Sequence, residues 1–531
     1  MKASEEKKYE SLSPFEVKDK LIKIAKTHHD RAMLNAGRGN PNWVATTPRS
    51  GFFQLGIFAL EESLRVVDVP VIGGAPEKKG VSGRFEKFCE KNQDVPGIKF
   101  LQRAYAYVRD ELKIDPDEFL FEMVDAIVGD HYPEPDRMLV NCEKIVHQYL
   151  EQEMCDGNPP AEKFDLFATE GGTAAMDYIF TSLMENKLLH KGDKIALGVP
   201  IFTPYLEIPH LNDYEFVEVE IKQGEDLYWQ FPDSEIEKLA DPSVKAFYLV
   251  NPANPTSVAI KPETLEKIAH LVRTKRKDLI LLTDDVYGTF VNGFRSLASI
   301  LPENTILVYS YSKYFGATGW RLGVIGISRN NIFDKKIAAM PEKDRKELHE
   351  RYHTVVLNPD KMKFIDRMVA DSRSVALHHT AGLSTPQQVQ MVLFSLFCLL
   401  DTKQEYKRVT QYIVAHRFKT LYDNVGIPAP EDKSDAHYYT TIDIPKLAAQ
   451  RYGKEFAQYL VKSYEPIDFV VKLAERKSVV LMDGGGFDGP NMSVRVSLAN
   501  LPNATYGEIG KGITELLEEY HRHWELKKAK G

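Results

Sequence analysis

The chain is poor in cysteine, has no long hydrophobic run and carries no surplus of positive charge. Its four cysteines, Cys89, Cys142, Cys155 and Cys398, stand without CxxC or finger spacing. A disulfide framework and a zinc site are therefore not expected, and a reducing compartment fits better. The longest strongly apolar stretch, Met391 to Leu400, is interrupted by Ser395 and is too short to span a bilayer, so no membrane partner is expected. A net charge of −8 leaves no basic footprint for nucleic acid. The first residues, MKASEEKKYESLSPFEV, are charged and lack the apolar core of a signal peptide, so a cytoplasmic location is expected. The chain shows no internal repeat and no low-complexity tract.

What is there suffices for a large core, since 43% of 531 residues are hydrophobic. The middle of the chain alternates short apolar runs with helical patterns. Lys194–Val199, Ala246–Val250, Leu279–Leu282, Thr305–Tyr309 and Val324–Ile327 lack strict alternation, as strands buried on both faces do. Between them, Leu265, Ile268, Ala269 and Val272 fall at helical spacing behind Pro262. The pattern predicts an α/β domain with a large, mostly parallel sheet. We place an N-terminal arm and loop at 1–50, a helical insertion at 51–129, the large domain at 130–390 with a charged insertion near 331–371, and a smaller α+β domain at 391–531. The last of these holds SVVLM, SVRVSLA and a helix with Ile509, Ile513, Leu516, Leu517, Tyr520 and Trp524 on one face.

Five short segments carry the chemistry. Thr169-Glu170-Gly171-Gly172-Thr173 opens a helix, where Gly171, Gly172 and Thr173 offer a close backbone approach and free N–H groups to a phosphate. Alone, a Gly-Gly pair is weak evidence for phosphate binding, because such motifs need context. Phe202, in Pro200-Ile201-Phe202-Thr203-Pro204-Tyr205, is placed to stack on a flat ring, or else is a buried loop aromatic. The paired Asn-Pro dipeptides of Asn251-Pro252-Ala253-Asn254-Pro255-Thr256 mark a turn that presents the Asn254 amide. Asp284, at the end of a strand in Thr283-Asp284-Asp285-Val286-Tyr287, points into the crevice where open α/β sheets bind ligands, and Asp285 is expected to be its solvated neighbour. Finally, Ser310-Tyr311-Ser312-Lys313 and Arg321 follow a buried strand. Together these supply what pyridoxal 5′-phosphate asks of a protein: a Schiff-base lysine (Lys313), a phosphate cup completed by Ser310 and Arg321, an anion at the ring nitrogen (Asp284), a stacking ring, and donors to the phenolic oxygen (Asn254 and Tyr287). No metal is called for.

In this order and spacing the segments resemble the class I/II aminotransferase superfamily of fold type I pyridoxal-phosphate enzymes, over roughly residues 30–45 and 130–520. The resemblance implies that Arg495 holds the substrate α-carboxylate, and that Asn35 to Pro41 forms the N-terminal active-site loop. It also implies that Tyr132 reaches the phosphate of a neighbouring subunit, which makes the protein an obligate dimer with shared sites. The whole chain, with its two insertions and its GRGNPNW and YFGATGWRLG segments, is similar to the aspartate 4-decarboxylases within that superfamily.

That branch implies L-aspartate as substrate, alanine and carbon dioxide as products, and a side aminotransferase activity. It further implies reactivation by 2-oxo acids such as pyruvate, and a dodecamer built from dimers. Aspartate aminotransferases hold the distal carboxylate with an arginine just before the segment Leu383-Ser384-Thr385-Pro386, and here that place reads His378-His379-Thr380-Ala381. Arg38, in the loop with Gly39, is assigned to orient the β-carboxylate, with His378 and His379 as alternatives; a plain salt bridge is the competing reading of Arg38. An aromatic or branched-chain aminotransferase, a carbon–sulfur lyase and a cyclopropane-forming synthase share the same core motifs. A transcription regulator of this fold needs a basic module before the loop, and too few residues precede it here.

Overall fold

A computed structural model describes residues 3–10, 12–26, 32–67, 69, 71–211, 217–222, 224, 228–373 and 382–529. Among the described residues, twelve strands are numbered in chain order. They are β1 (Leu34–Asn35), β2 (Phe164–Thr169), β3 (Lys194–Val199), β4 (Val217–Lys222), β5 (Val244–Val250), β6 (Ile280–Asp284), β7 (Thr305–Ser310), β8 (Gly323–Ser328), β9 (Tyr439–Asp443), β10 (Val479–Val480), β11 (Met482–Asp483) and β12 (Ser493–Ser497).

The central sheet has the order β2-β8-β7-β6-β5-β3-β4. The strands from β4 to β7 run parallel, and β8 is antiparallel to both β7 and β2. Every residue of β6, β7 and β8 is buried, as expected for β-branched strands covered by helices on both faces. β5, β6 and β7 therefore end at the same edge, and the loops that follow Val250, Asp284 and Ser310 converge there.

The helices Thr46–Val66, Val81–Lys91, Ile98–Asp110 and Pro116–Val128 share one hydrophobic core with this sheet. At the centre of that core lies Thr385–Leu399, buried on nearly every side. The apolar run Met391 to Leu400 makes up the end of this helix and its C-cap, and its apolar character reflects burial nearly all round. The charged stretch 331–371 forms helices Ile332–Ala338, Glu342–Tyr352 and Phe364–Ser372. Asp371 pins the last of them, accepting from Ser182 Oγ at 2.7 Å, Arg351 Nη2 at 3.0 Å and Tyr352 OH at 3.0 Å.

A second core gathers around the antiparallel sheet β11-β12-β9 and the helices Glu405–Val425 and Thr505–Lys528. Helix Pro14–Ala25 joins it through Val17, Leu21 and Ala25, and β1 pairs with β10 in parallel. The run SVVLM thus divides between two sheets, β10 and β11.

Candidate active site

At the edge where β5, β6 and β7 end is a cavity enclosing about 580 Å³ of empty space, open solvent included. Its walls include Gly172, Thr173, Phe202, Asn254, Asp284, Tyr287, Ser310, Lys313 and Arg321, so residues far apart in the chain meet here. One end is an anion cradle at the start of helix Gly172–Glu185. Gly171 has φ +97°, and a Cβ there would stand 2.5 Å from Arg321 Nη2. Arg321 donates to the carbonyls of Glu170 (3.2 Å) and Thr318 (3.1 Å), so its guanidinium lies against the turn. Ser310 Oγ is 2.9 Å from Ser312 Oγ, a hydroxyl the sequence motifs had not marked. Free helix N–H groups, two hydroxyls and a guanidinium are a donor set that could hold a phosphate.

In the middle of the cavity Asp284 is buried at the end of β6. The hydroxyl of Tyr205 donates to its Oδ2, and the Val286 N–H donates to Oδ1 at 3.2 Å. Burial raises the carboxyl to about pKa 6, against the opposing pull of these two donors and of nearby Lys313. Tyr205 was missed in the sequence because a buried tyrosine after Pro204 reads as core. Phe202 meets Tyr205 edge to face at 5.1 Å and lines the cavity.

Asp285 is not solvated, contrary to expectation. Its N–H still bonds Val308 O at 3.0 Å, so the chain stays in the sheet for one more residue and the side chain turns inward to Thr283. The residue is fully buried, its Oδ2 has no hydrogen-bond partner, and burial raises its carboxyl to about pKa 7.

Lys313 is half-buried and donates from Nζ to Gly39 O at 3.1 Å. The same carbonyl accepts from Tyr438 OH at 2.8 Å. A Cβ on Gly39 would stand 2.6 Å from Tyr439 OH and 2.9 Å from Lys313 Nζ, so only glycine lets the loop come this close. The turn after Lys313 is clamped from outside: Trp43 Nε1 donates to Tyr314 O at 3.1 Å, and Arg49 donates to Phe315 O at 3.1 Å and Gly316 O at 2.7 Å.

Beyond the loop lies Arg495, which is 1% exposed. Its guanidinium carbon is 4.4 Å from the ring centre of Tyr439 and 4.9 Å from that of Phe487. Nη1 donates to Asn254 Oδ1 at 3.1 Å and Nη2 to Gly37 O at 2.9 Å, while Nε has no partner. Since its oxygen faces the arginine, the Asn254 NH2 is the end left for a cofactor oxygen. Burial pulls the Arg495 pKa below its ordinary value, yet arginine stays charged in proteins. No carboxylate of the described residues pairs with it, so the site presents a buried, uncompensated cation.

Two of the expected residues, Arg38 and Tyr132, are not in the cavity wall. The side chain of Arg38 is exposed and makes no ion pair among the described residues, although its neighbours Gly37 and Gly39 hold Arg495 and Lys313. Tyr132 is 66% exposed and lines a different surface hollow. His378 and His379 lie outside the described residues. Tyr287 is buried and donates to Tyr439 OH at 3.0 Å. A flat, anionic aldehyde would find here a lysine, a phosphate cradle, a buried acid and a stacking ring, so the donor set fits pyridoxal phosphate.

The chain matches the aminotransferase class I and II family over residues 162–513 and belongs to that family. Over 516 residues it is 50% identical to a bifunctional aspartate aminotransferase and L-aspartate beta-decarboxylase of a Pseudomonas species, with 97% of each chain covered. Among solved structures, an aromatic aminotransferase of Pyrococcus horikoshii OT3 superposes with a TM-score of 0.58 at 17% identity, covering 94% of this chain and 99% of that one. The aspartate aminotransferase of Thermus thermophilus with maleate gives 0.57 at 16% identity, covering 95% and 96%. At such identities the likeness is one of fold.

Proposed function

We propose that the protein binds pyridoxal 5′-phosphate through Lys313 and converts L-aspartate into L-alanine and carbon dioxide, with aspartate aminotransferase activity beside it. The observation that carries this reading is the end-to-end match to the Pseudomonas enzyme. An alignment of 516 residues runs through both the helical segment 46–128 and the insertion 332–372, not only through the core common to aminotransferases. The buried, uncompensated Arg495 beside Lys313 and Asp284 supports it.

When bound, the cofactor supplies an electron sink for the pair released as a bond to the substrate carbon breaks. The residues of this chain do the rest. Arg495 clamps the α-carboxylate and so points the α-carbon at Lys313. The Lys313 amine takes the proton from that carbon and returns it later. Asp284 keeps a proton on the ring nitrogen, with its geometry held by Tyr205 and the Val286 N–H. The Asn254 NH2 holds the phenolic oxygen, Tyr287 lines the cavity with its one proton given to Tyr439, and Phe202 covers the ring.

The β-carboxylate requires orientation without excessive stabilisation, because only contacts stronger in the transition state speed bond breaking. We assign this to Arg38, reaching in from the loop between Gly37 and Gly39. Arg38→Ala is expected to depress carbon dioxide release more than half-transamination; equal losses would remove the role. A 2-oxo acid such as pyruvate serves as amino acceptor and reactivates the enzyme after a transamination turnover.

Self-association belongs to the same reading: Tyr132 reaches the phosphate site of a second copy, and dimers assemble into a dodecamer. The stripe Phe53, Ile57, Leu60 and Leu64, 47–61% exposed along one helix, supports a contact with another chain. The deciding experiment supplies aspartate to the cofactor-loaded protein and measures the products. Alanine with equimolar carbon dioxide is expected, and oxaloacetate without carbon dioxide would refute the proposal.

A further inference from the structure

Tyr439 has a hydroxyl that no role above employs. β9 carries the residue under the guanidinium of Arg495, where it is 1% exposed. Its oxygen accepts from Tyr287 OH at 3.0 Å, and its own proton has no acceptor among the described residues. The hydroxyl and the Lys313 amine lie 2.6 and 2.9 Å from one point, the position of an added Cβ on Gly39. Arg495 Nε is a second buried donor without an acceptor.

Buried donors are nearly always satisfied, so an unsatisfied Nε on the unpaired guanidinium and an unsatisfied phenol packed against it mark the seat of an anion. The other polar contacts of Arg495, to Asn254 Oδ1, Gly37 O and Met482 Sδ, are with acceptors and so orient the arginine instead of binding an anion. A phenol adds a charge-assisted donor without adding charge, which leaves the single positive charge of Arg495 matched to a single carboxylate.

Resting on the function proposed above, we infer that Tyr439 is a further substrate-binding residue. Its phenol donates to the α-carboxylate that Arg495 holds. Substrates and inhibitors with a free carboxylate at that end gain the contact, and their amides or esters do not.

The test uses the cofactor-loaded protein and Tyr439→Phe, which keeps the ring against Arg495 and removes the donor. Maleate, a dicarboxylate without an amino group, is titrated against the visible absorbance of the bound cofactor. Its dissociation constant is expected to rise about tenfold, the loss typical of one hydrogen bond to a charged group. The KM for aspartate rises in parallel while kcat stays within about threefold, the mark of lost ground-state binding. The pH midpoint of the absorbance stays where it is. Unchanged maleate affinity overturns the inference. So does a moved midpoint at unchanged affinity, or loss of the cofactor, since either places Tyr439 behind Tyr287 and not against substrate. A wild-type protein whose absorbance ignores maleate altogether overturns the proposed function and this inference with it.

Discussion

The carboxyl of Asp284 lies inside the protein, and burial lifts its pKa from about 4 in an unfolded chain to about 6. Burial outweighs the pull of nearby Lys313, so this group binds a proton more tightly folded than unfolded. Its cost to stability is therefore absent below about pH 4 and fully present above about pH 6. Asp284→Asn removes the cost. Urea unfolding of the cofactor-free protein is expected to show a gain of up to roughly 3 kcal/mol at pH 8, shrinking by pH 5, while affinity for the cofactor falls. A gain of equal size at both pH values would rule out the titration of Asp284 as its source. Lys313→Ala is expected to lose both the covalent cofactor absorbance and the turnover, and a variant that kept turnover would refute the anchor. Lys313, Asp284 and Asn254 were legible in the sequence because each follows an apolar run and stands in a short polar segment. Tyr205, Tyr438 and Tyr439 were not. Their hydroxyls matter through partners from 79 to 399 residues away, and nothing local separates them from core tyrosines.

At the scale of elements, the turn after β7 depends on backbone shape. Gly316 has φ +60°, and a Cβ there would overlap the carbonyl oxygen of Trp43. Gly319, three residues on, has nothing within 4 Å of its added Cβ. Gly316→Ala is expected to destabilise by roughly 2–3 kcal/mol and to loosen the cofactor, while Gly319→Ala stays within about 0.5 kcal/mol. Thermal melts of the two variants check this, and equal shifts would show that the clamp by Trp43 and Arg49 is dispensable. The buried strands β5 to β8 were readable because continuous apolar runs need cover on both faces. β4 was not marked: its sequence, Val-Glu-Val-Glu-Ile-Lys, alternates, and it occupies the sheet edge beside β3. The alternation was itself the signal of an edge strand.

For the whole molecule the question is how copies share the site. If Tyr132 serves a second copy, Lys313→Ala and Tyr132→Ala are complementary defects. Mixing the two after dissociation yields hybrid dimers with one intact site, about a quarter of wild-type activity at random pairing. Activity no higher than the better parent would place Tyr132 outside the neighbouring site. Light scattering is expected to report a dodecamer, and a dimer alone at working concentration would contradict it.

The sequence by itself determined the α/β class, the order of the chemical segments and most of the residues that line the cavity, because those signals are local: strand ends, turns and helix starts. It also held the family, through the spacing of those segments. Only the tertiary structure decided what stands across from each of them. It buried Asp285, placed Tyr205 on Asp284, brought β9 under Arg495 and left Arg38 outside the cavity wall. These outcomes follow from packing between distant segments, where desolvation and close approach depend on neighbours that no local pattern names.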